Sequence, residues 1–538
     1  MKGNIICLAA AAVSMAVGTA ATSVVAPADL EPRSFDGMLQ LGVERVKRSE
    51  AGPVRRDVVP VSLDNYQDVA YIASIRLGTP AQTLQVQLDT GSSDLWVQAS
   101  TNPYCTSSQG NCQDSGTFDA SSSSSFNQLQ KDPFDISYVD TTGASGTYAT
   151  DTLAIGNATL DNFIFGYAEN SNTSLGVLGV SFTIDEDSNQ TYPNLPYRLQ
   201  QDGIIDLVSY SLWLNDLDAN TGSILFGGID TGKFTGELSV IPMYPVATID
   251  NITYYSGFNV ELTGITVTSS SNANNKTVVY GTADALVTGG STIYTILDSG
   301  TSLGTFPLQI LTGIVEGLGL ADSAQYSRQY QFYQVDCSVM NSDALVVFEF
   351  GGKASIAVTM DQFIQVMSTD SFGDNVCGIA LQASETLYSY SETFIVGDTI
   401  LRSAYVVYDL QNYMIGLAQT SFNSSVTSLL SLSSSGIPDG LTGKGADNSE
   451  NQSAASSDIT TSSPTSTSAS ATSAATTSAE APSLSVSTLS IGQRSTTASS
   501  LTGTSKAPVP TSGATAFVSP SVLSVVMTVA FTFGALWI

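Results

Sequence analysis

Between residues 57 and 420 the chain advances in short stretches in which β-branched, aromatic and leucine residues alternate with polar ones or form brief continuous runs. AYIASIRLG (70–78), TLQVQLDTG (83–91), GSILFGG (222–228), TIYTILDSG (292–300) and AYVVYDLQNYMIGLA (404–418) are the clearest. Clusters of Gly, Asn, Asp and Ser separate them. A period near two with turn chemistry in between predicts strands, and long stretches of period 3.6 are scarce, so the fold class expected is mainly β. One helix is predicted from Pro307, a residue suited to a first helical turn, over PLQILTGIVEGL (307–318).

The pattern also repeats. TLQVQLDTGSSDLWV (83–97) and STIYTILDSGTSLGTF (291–306) each carry an apolar strand ending in Asp, then a hydroxyl residue, Gly and two further hydroxyl residues, with an apolar residue close behind. Each is echoed downstream by an apolar pair and a glycine, in GVLGVSF (176–182) and FIVGDTI (394–400). Two duplicated lobes are therefore expected, residues 57–232 and 233–420.

Composition changes at both ends. Residues 1–22 have one early lysine, an apolar core and small residues, the form of a secretory signal peptide. Residues 23–56 are read as a propeptide: the dibasic pairs Lys47-Arg48 and Arg55-Arg56 stand out in a chain with only 18 Lys and Arg, and a dibasic-cleaving processing protease is expected to cut after Arg56. Residues 421–512 are dominated by Ser, Thr and Ala and are expected to form a glycosylated stalk. Residues 513–538 end in an apolar run with no basic residue after it. That run, with small residues upstream, is expected to be a GPI-anchor signal attached at Ser512 or Gly513, a tail-end transmembrane helix being the alternative. Asn-x-Ser/Thr sequons at Asn157, Asn172, Asn189, Asn251, Asn275, Asn423 and Asn451 suit a secreted glycoprotein at the cell surface, in the plasma membrane or wall.

Charge and residue counts then remove whole classes of chemistry. The 48 Asp and Glu give a net charge of −30, which repels phosphate backbones and excludes nucleic acid as a partner. There is no histidine, so the Ser-His-Asp and Cys-His nucleophile systems and His-rich zinc sites are excluded, and no metal or other cofactor is expected. Cys7 lies in the first apolar run. Cys105, Cys112, Cys337 and Cys377 lack metal-site spacing and are read as disulfides of an oxidising compartment, Cys105–Cys112 and Cys337–Cys377, with the other two connectivities open.

Carboxylates remain. Four Asp-Ser/Thr-Gly triplets occur, at Asp89, Asp114, Asp230 and Asp298. Asp89 and Asp298 end apolar strands. Asp114 sits in a cysteine-bounded loop and Asp230 is followed at once by Lys233 without a hydroxyl pair, so both are read as turns. Two carboxylates brought together cannot both ionise. One proton is shared, and the ionised member works as a base while the protonated one works as an acid. Gly91 and Gly300 permit tight turns, and the hydroxyls of Thr90, Ser92, Ser299 and Thr301 are placed to bond the carboxylates or the facing loop.

On these matched motifs the body, residues 57–420, resembles the pepsin-type aspartic proteases. DISYVDTTGASGTYATDTL (135–153) resembles their flap hairpin, with Tyr138 as the flap tyrosine and Trp96 its hydrogen-bonding partner. FGGIDTGKFTGEL (226–238) is similar to their inter-lobe stretch, and FIVGDTILRSAYVVYDLQNYMIGLA (394–418) to their last strands. The resemblance implies a bilobal fold of two β-barrel-like lobes with a cleft between them, and a monomeric endopeptidase acting on peptides at acidic pH. YRLQQDGIIDLVSYSLWLNDLDANTGSILFGG (197–228) and FGYAENSNTSLGVLGV (165–180) are similar to fungal yapsins and candidapepsins. That likeness implies cleavage at Lys or Arg, processing of surface or wall proteins, and a GPI-held enzyme with membrane lipid and wall glucan as further partners. Glu169 and Asp140 lie in segments that border the cleft in this family, where attraction of a basic substrate side chain is one reading and plain solvated loop carboxylates the other. Val139 departs from the usual flap glycine, and the Cys105–Cys112 loop lacks the acidic insertion of some yapsins. The opposing function class is a catalytically silent wall or adhesion protein.

Overall fold

The computed structural model describes residues 33–35, 37–47, 69–107, 112, 115–138, 141–188, 191–219, 221–249, 251–269, 272–281, 293–370, 372–384 and 394–445. The expected signal peptide, the cleavage position at Arg56, Asp114, Val139, Asp140, Asn189, Asn451, the stalk beyond residue 445 and the anchor residues Ser512 and Gly513 lie outside these, as does the side chain of Asn275.

The internal repeat is a repeat of topology. In the first half the strand Gln82–Asp89 runs parallel to Gly176–Gly179, with Asp89 beside Gly179, and Leu95–Gln98 lies antiparallel on the other side of that short strand. In the second, Ile293–Leu297 runs parallel to Phe394–Val396, with Leu297 beside Val396, and Gly304–Pro307 lies antiparallel on its far side. Leu84, Val86, Leu88, Ile293 and Leu297 are buried along the two Asp-bearing strands. The chain thus leaves each strand at its Asp, loops out, and returns against the strand carrying the downstream echo. The echo glycines sit under that loop. A Cβ on Gly179 would lie 2.5 Å from the Ser93 nitrogen, and one on Gly397 2.4 Å from the Thr301 carbonyl oxygen.

Around these units the described residues form a mainly antiparallel, mainly β body with a fifteen-stranded and an eight-stranded sheet. Strand Ser209–Trp213 of the first half pairs with Ala404–Asp409 of the second, so the halves share one continuous ladder. The helix runs Leu308–Gly317 with Pro307 as its N-cap, one step outside the expected start. Ile310, Leu311, Ile314 and Val315 are its buried face, at the helical spacing that an amphipathic segment needs.

Packing extends on both sides of residues 57–420. Strand Met38–Lys47, inside the segment read as a propeptide, is laddered between Thr221–Phe226 and Val69–Leu77, with Leu39, Leu41 and Val43 buried. At the other end packing continues past residue 420. Leu429–Ser431 pairs with Gly228–Asp230, Leu441–Thr442 pairs with Phe234–Pro242, and Leu432 is buried among Trp213, Phe234 and Tyr405. Lys233, whose ammonium stands 4.3 Å over the Trp213 ring, donates to the Ser424 carbonyl at 2.6 Å, and the Ser428 N–H donates to Asp230 at 2.7 Å. Asp230 is therefore a structural carboxylate that binds this extension.

A chain ending at residue 420 loses the Leu432 burial, worth roughly 2 kcal/mol on transfer grounds, and strands the buried Asp230 and Lys233 without these partners. Compared with a chain ending at residue 445, it is expected to melt several degrees lower in a thermal scan. Equal melting temperatures would show that the extension contributes nothing.

Candidate active site

The two repeated strands deliver Asp89 and Asp298 to one place, both nearly buried at 6 % and 9 % exposure. Each carboxylate is held in the same way by its own loop. The Gly91 N–H donates to Asp89 Oδ1 at 2.7 Å and the Ser92 hydroxyl donates to Oδ2 at 2.5 Å. The Gly300 N–H donates to Asp298 Oδ1 at 2.8 Å and the Thr301 hydroxyl to Oδ2 at 2.6 Å. The opposing loops interlock closely: a Cβ on Gly91 would come within 2.6 Å of Asp298 Oδ1, and one on Gly300 within 2.3 Å of Asp89 Oδ1.

The remaining two hydroxyls bridge the halves. Thr90 Oγ1 donates to the Leu297 carbonyl and accepts from the Ser299 N–H, both at 2.9 Å; Ser299 Oγ donates to the Leu88 carbonyl at 3.2 Å and accepts from the Thr90 N–H at 3.3 Å. This reciprocal set, wholly buried, fixes one strand end against the other. Gln87 adds a further tie, its side-chain nitrogen donating to the Gly300 carbonyl at 3.0 Å. The hydroxyls at positions one and three after each Asp therefore have different tasks. Burial, and then the charge of Asp298, push the Asp89 carboxyl well above its ordinary range, so a proton is retained at the pair.

Strands Asn127–Ser137 and Gly143–Ile155 form a hairpin whose turn carries Tyr138. Trp96, fully buried, donates its indole N–H to the Tyr138 hydroxyl at 2.8 Å. Burial and then the neighbouring Asp89 keep the Tyr138 phenol protonated. The hairpin's footing is acidic, a feature the sequence reading missed. Asp94, two residues before Trp96 and fully buried, accepts from the Tyr148 hydroxyl at 2.7 Å, the Tyr192 hydroxyl at 2.5 Å and the Asp187 N–H at 2.9 Å. Asp187 in turn accepts the Asp135 N–H of the hairpin at 2.8 Å. Glu186 is buried, with one oxygen accepting the Tyr192 N–H at 2.8 Å and the other without a partner among the described residues. Desolvation raises the Asp94 and Asp185 carboxyls, lifts Asp187 to about 6 and lifts Glu186 to about 9.

Cys105 is bonded to Cys112 and Cys337 to Cys377, with Cα separations of 5.2 and 5.1 Å. The first closes the loop after the short helix Pro103–Thr106; the second ties the 3-10 turn Cys337–Asn341 to strand Asn375–Ile379. Asn157, Asn172, Asn251 and Asn423 are exposed, as is Glu169. Among the described residues no group of three or more Cys, Asp or Glu is arranged to hold a metal ion.

With this geometry in view, comparison with known proteins is consistent across sequence and structure. The family profile described as eukaryotic aspartyl protease matches residues 70–420. The chain is 38 % identical over 418 residues to the probable aspartic-type endopeptidase opsB of Aspergillus oryzae, covering 75 % of this chain and 80 % of that one. It is 35 % identical over 363 residues to the aspartic proteinase yapsin-3 of Saccharomyces cerevisiae, covering 65 % and 66 %. The crystal structure of the aspartic proteinase from Irpex lacteus superposes with a TM-score of 0.51 at 19 % identity, covering 72 % of this chain and all of that one, a likeness of fold.

Two outcomes are expected of the site. Gly91→Ala or Gly300→Ala pushes the opposite carboxylate aside, and a displacement near 1 Å is expected to lower kcat/KM by roughly 100-fold; unchanged kinetics would contradict the close approach. The carboxyls raised by burial also give stability a direction with pH. In the unfolded chain they titrate near 4, so the unfolded state binds fewer protons above that value. Their stabilisation is complete below about pH 4 and is lost as pH rises through 6 and 9, the folded values of Asp187 and Glu186. The melting temperature should fall from pH 4 to pH 9, and Glu186→Gln should flatten the upper part of that fall. A profile flat across the range, or the same slope in the variant, would count against the buried cluster.

Proposed function

The chain belongs to the eukaryotic aspartyl protease family and is an aspartic-type endopeptidase; we propose that Asp89 and Asp298 carry its peptide-bond cleavage. The observation behind this reading is the meeting of two carboxyls from equivalent loops, each with two donors of its own and, among the described residues, no basic side chain bonded to it. Such a pair shares one proton, a behaviour for which the aspartic proteases are the standard example. The ionised member takes a proton from a water, whose oxygen attacks the scissile carbonyl carbon. The protonated member gives its proton to the carbonyl oxygen, and the tetrahedral species then breaks its C–N bond as the nitrogen is protonated. No covalent intermediate with the protein and no cofactor enters. Tyr138 lies over the substrate, tethered by Trp96, while Thr90 and Ser299 keep the dyad in register.

The wider reading is of a proenzyme that enters the secretory pathway, is cut at Arg56 and is held at the cell surface or in the wall by a GPI anchor, where it processes surface proteins. The Ser/Thr-rich segment, the apolar terminus and the dibasic pairs support it, as does the likeness to yapsin-3. A preference for Lys or Arg beside the cut bond fits the net charge of −30 and the exposed Glu169.

A secreted form ending at residue 445 is expected to cut a mixed peptide library at acidic pH. Asp89→Asn and Asp298→Asn should each lower the rate by at least about 10³-fold. Full activity in either variant would remove that carboxylate from the mechanism. Mass spectrometry of the products decides the specificity: basic residues flanking the cuts support the yapsin-like preference, and apolar ones reject it. Release of the full chain from cells by a phosphatidylinositol-specific phospholipase tests the anchor, and retention after treatment with both that enzyme and glucanase would argue for a transmembrane tail.

A further inference from the structure

Asn172 is an exposed sequon residue, Asn172-Thr173-Ser174, and it also grips the hairpin that carries Tyr138. Its Oδ1 accepts the Gly143 N–H at 2.7 Å and its Nδ2 donates to the Thr141 carbonyl at 2.9 Å, while its own backbone N–H donates to the Gly143 carbonyl at 3.2 Å. The orientation of the carboxamide is fixed by its partners, because an N–H can meet only the oxygen and a carbonyl only the nitrogen. Thr141 and Gly143 follow directly on the turn in which the Tyr138 N–H donates to Thr142 at 2.8 Å and the Thr141 N–H to Tyr138 at 3.0 Å. The grip therefore bears on the return arm of the hairpin, close to where Tyr138 meets Trp96.

We propose that Asn172 is a positioning residue for the Tyr138 hairpin and that N-glycosylation of its Nδ2 releases this grip. Both contacts reach backbone groups two residues apart, so they leave from one edge of the carboxamide and use the Nδ2 hydrogen on the same side as Oδ1. Glycosyl transfer forms a bond from a sugar C1 to Nδ2, breaks the C1–O bond to a lipid diphosphate donor and releases one Nδ2 proton. The product is a secondary amide. Secondary amides are strongly trans, which sets the sugar carbon on the side of Oδ1 and turns the remaining N–H away. The sugar then occupies the position from which Thr141 is held, and grip and glycan exclude each other. Thr173 is buried in the folded protein, so transfer belongs to the unfolded chain and its occupancy is settled before the hairpin forms. Glycan occupancy thereby sets how firmly Tyr138 is held over a bound peptide, an inference that rests on the endopeptidase reading and on secretion.

The test compares the full chain secreted from a glycosylating host with Ser174→Ala, which removes the sequon and keeps the grip, and Asn172→Ala, which removes both. Asn172→Asp, keeping only the acceptor, serves if the alanine variant fails to fold. Glycopeptide mass spectrometry is expected to find a glycan on Asn172 in the parent protein. Hydrogen exchange in a peptide spanning Thr141–Ala144 should be slowest in Ser174→Ala and roughly 3- to 10-fold faster in the parent and in Asn172→Ala, the range for losing one net hydrogen bond. KM for a cleaved peptide should follow the same order, with kcat changing less than about 2-fold. An unmodified Asn172 in the parent, or equal exchange in Ser174→Ala and Asn172→Ala, overturns the inference. If no protein, the parent included, cuts peptide, the endopeptidase reading fails, while the exchange order still decides the grip.

Discussion

Two carboxyls that cannot both ionise must be held together in a nearly dry place, and the loops around them answer that constraint. Left alone, a pair of carboxylates would separate or draw in water. The reciprocal bonds of Thr90 and Ser299 prevent this by locking backbone to backbone across the halves, at positions that never touch a carboxylate. Ser92 and Thr301, two residues further on, face the acids instead. Framework and acid are thus supported by separate bonds from the same short loops, and the repeated topology supplies both sets twice. The shared ladder between Ser209–Trp213 and Ala404–Asp409 closes the frame from behind.

Much of this was legible in the sequence because it is local. An apolar strand, an Asp, two hydroxyls and a glycine fit within ten residues, and both copies read alike, so the meeting of Asp89 with Asp298 and the mainly β class could be argued from pattern. The division of labour among the hydroxyls could not, since Thr90 and Ser92 look equally able to bond a carboxylate. Only the crossing of the loops separates them. Asp230 was separable from the pair because no hydroxyl pair follows it, and it caps the turn Thr231–Lys233.

What escaped the sequence was long-range. Ser-rich composition from residue 421 signals a segment that cannot order itself, yet a few leucines are enough when a prepared surface of Trp213, Phe234 and Tyr405 waits for Leu432. The dibasic pairs drew attention to cleavage in residues 23–56, while the strand Met38–Lys47 within that segment, laddered on both sides, was not anticipated. The acidic run TIDED (183–187) was not read as part of the site. Asp94, packed against that run, accepts the hydroxyls of Tyr148 and Tyr192, 54 and 98 residues away in the chain, and desolvation holds Asp94, Glu186 and Asp187 toward their protonated forms.

The crossed glycines carry a consequence for descent. The room that Asp298 needs is left by Gly91, and the room that Asp89 needs is left by Gly300. Each half of the duplication thus holds open a space it does not itself use. A sequence change at either glycine is judged by the other half, so the two copies, free to diverge over most of their surface, inherit these loops as a single unit.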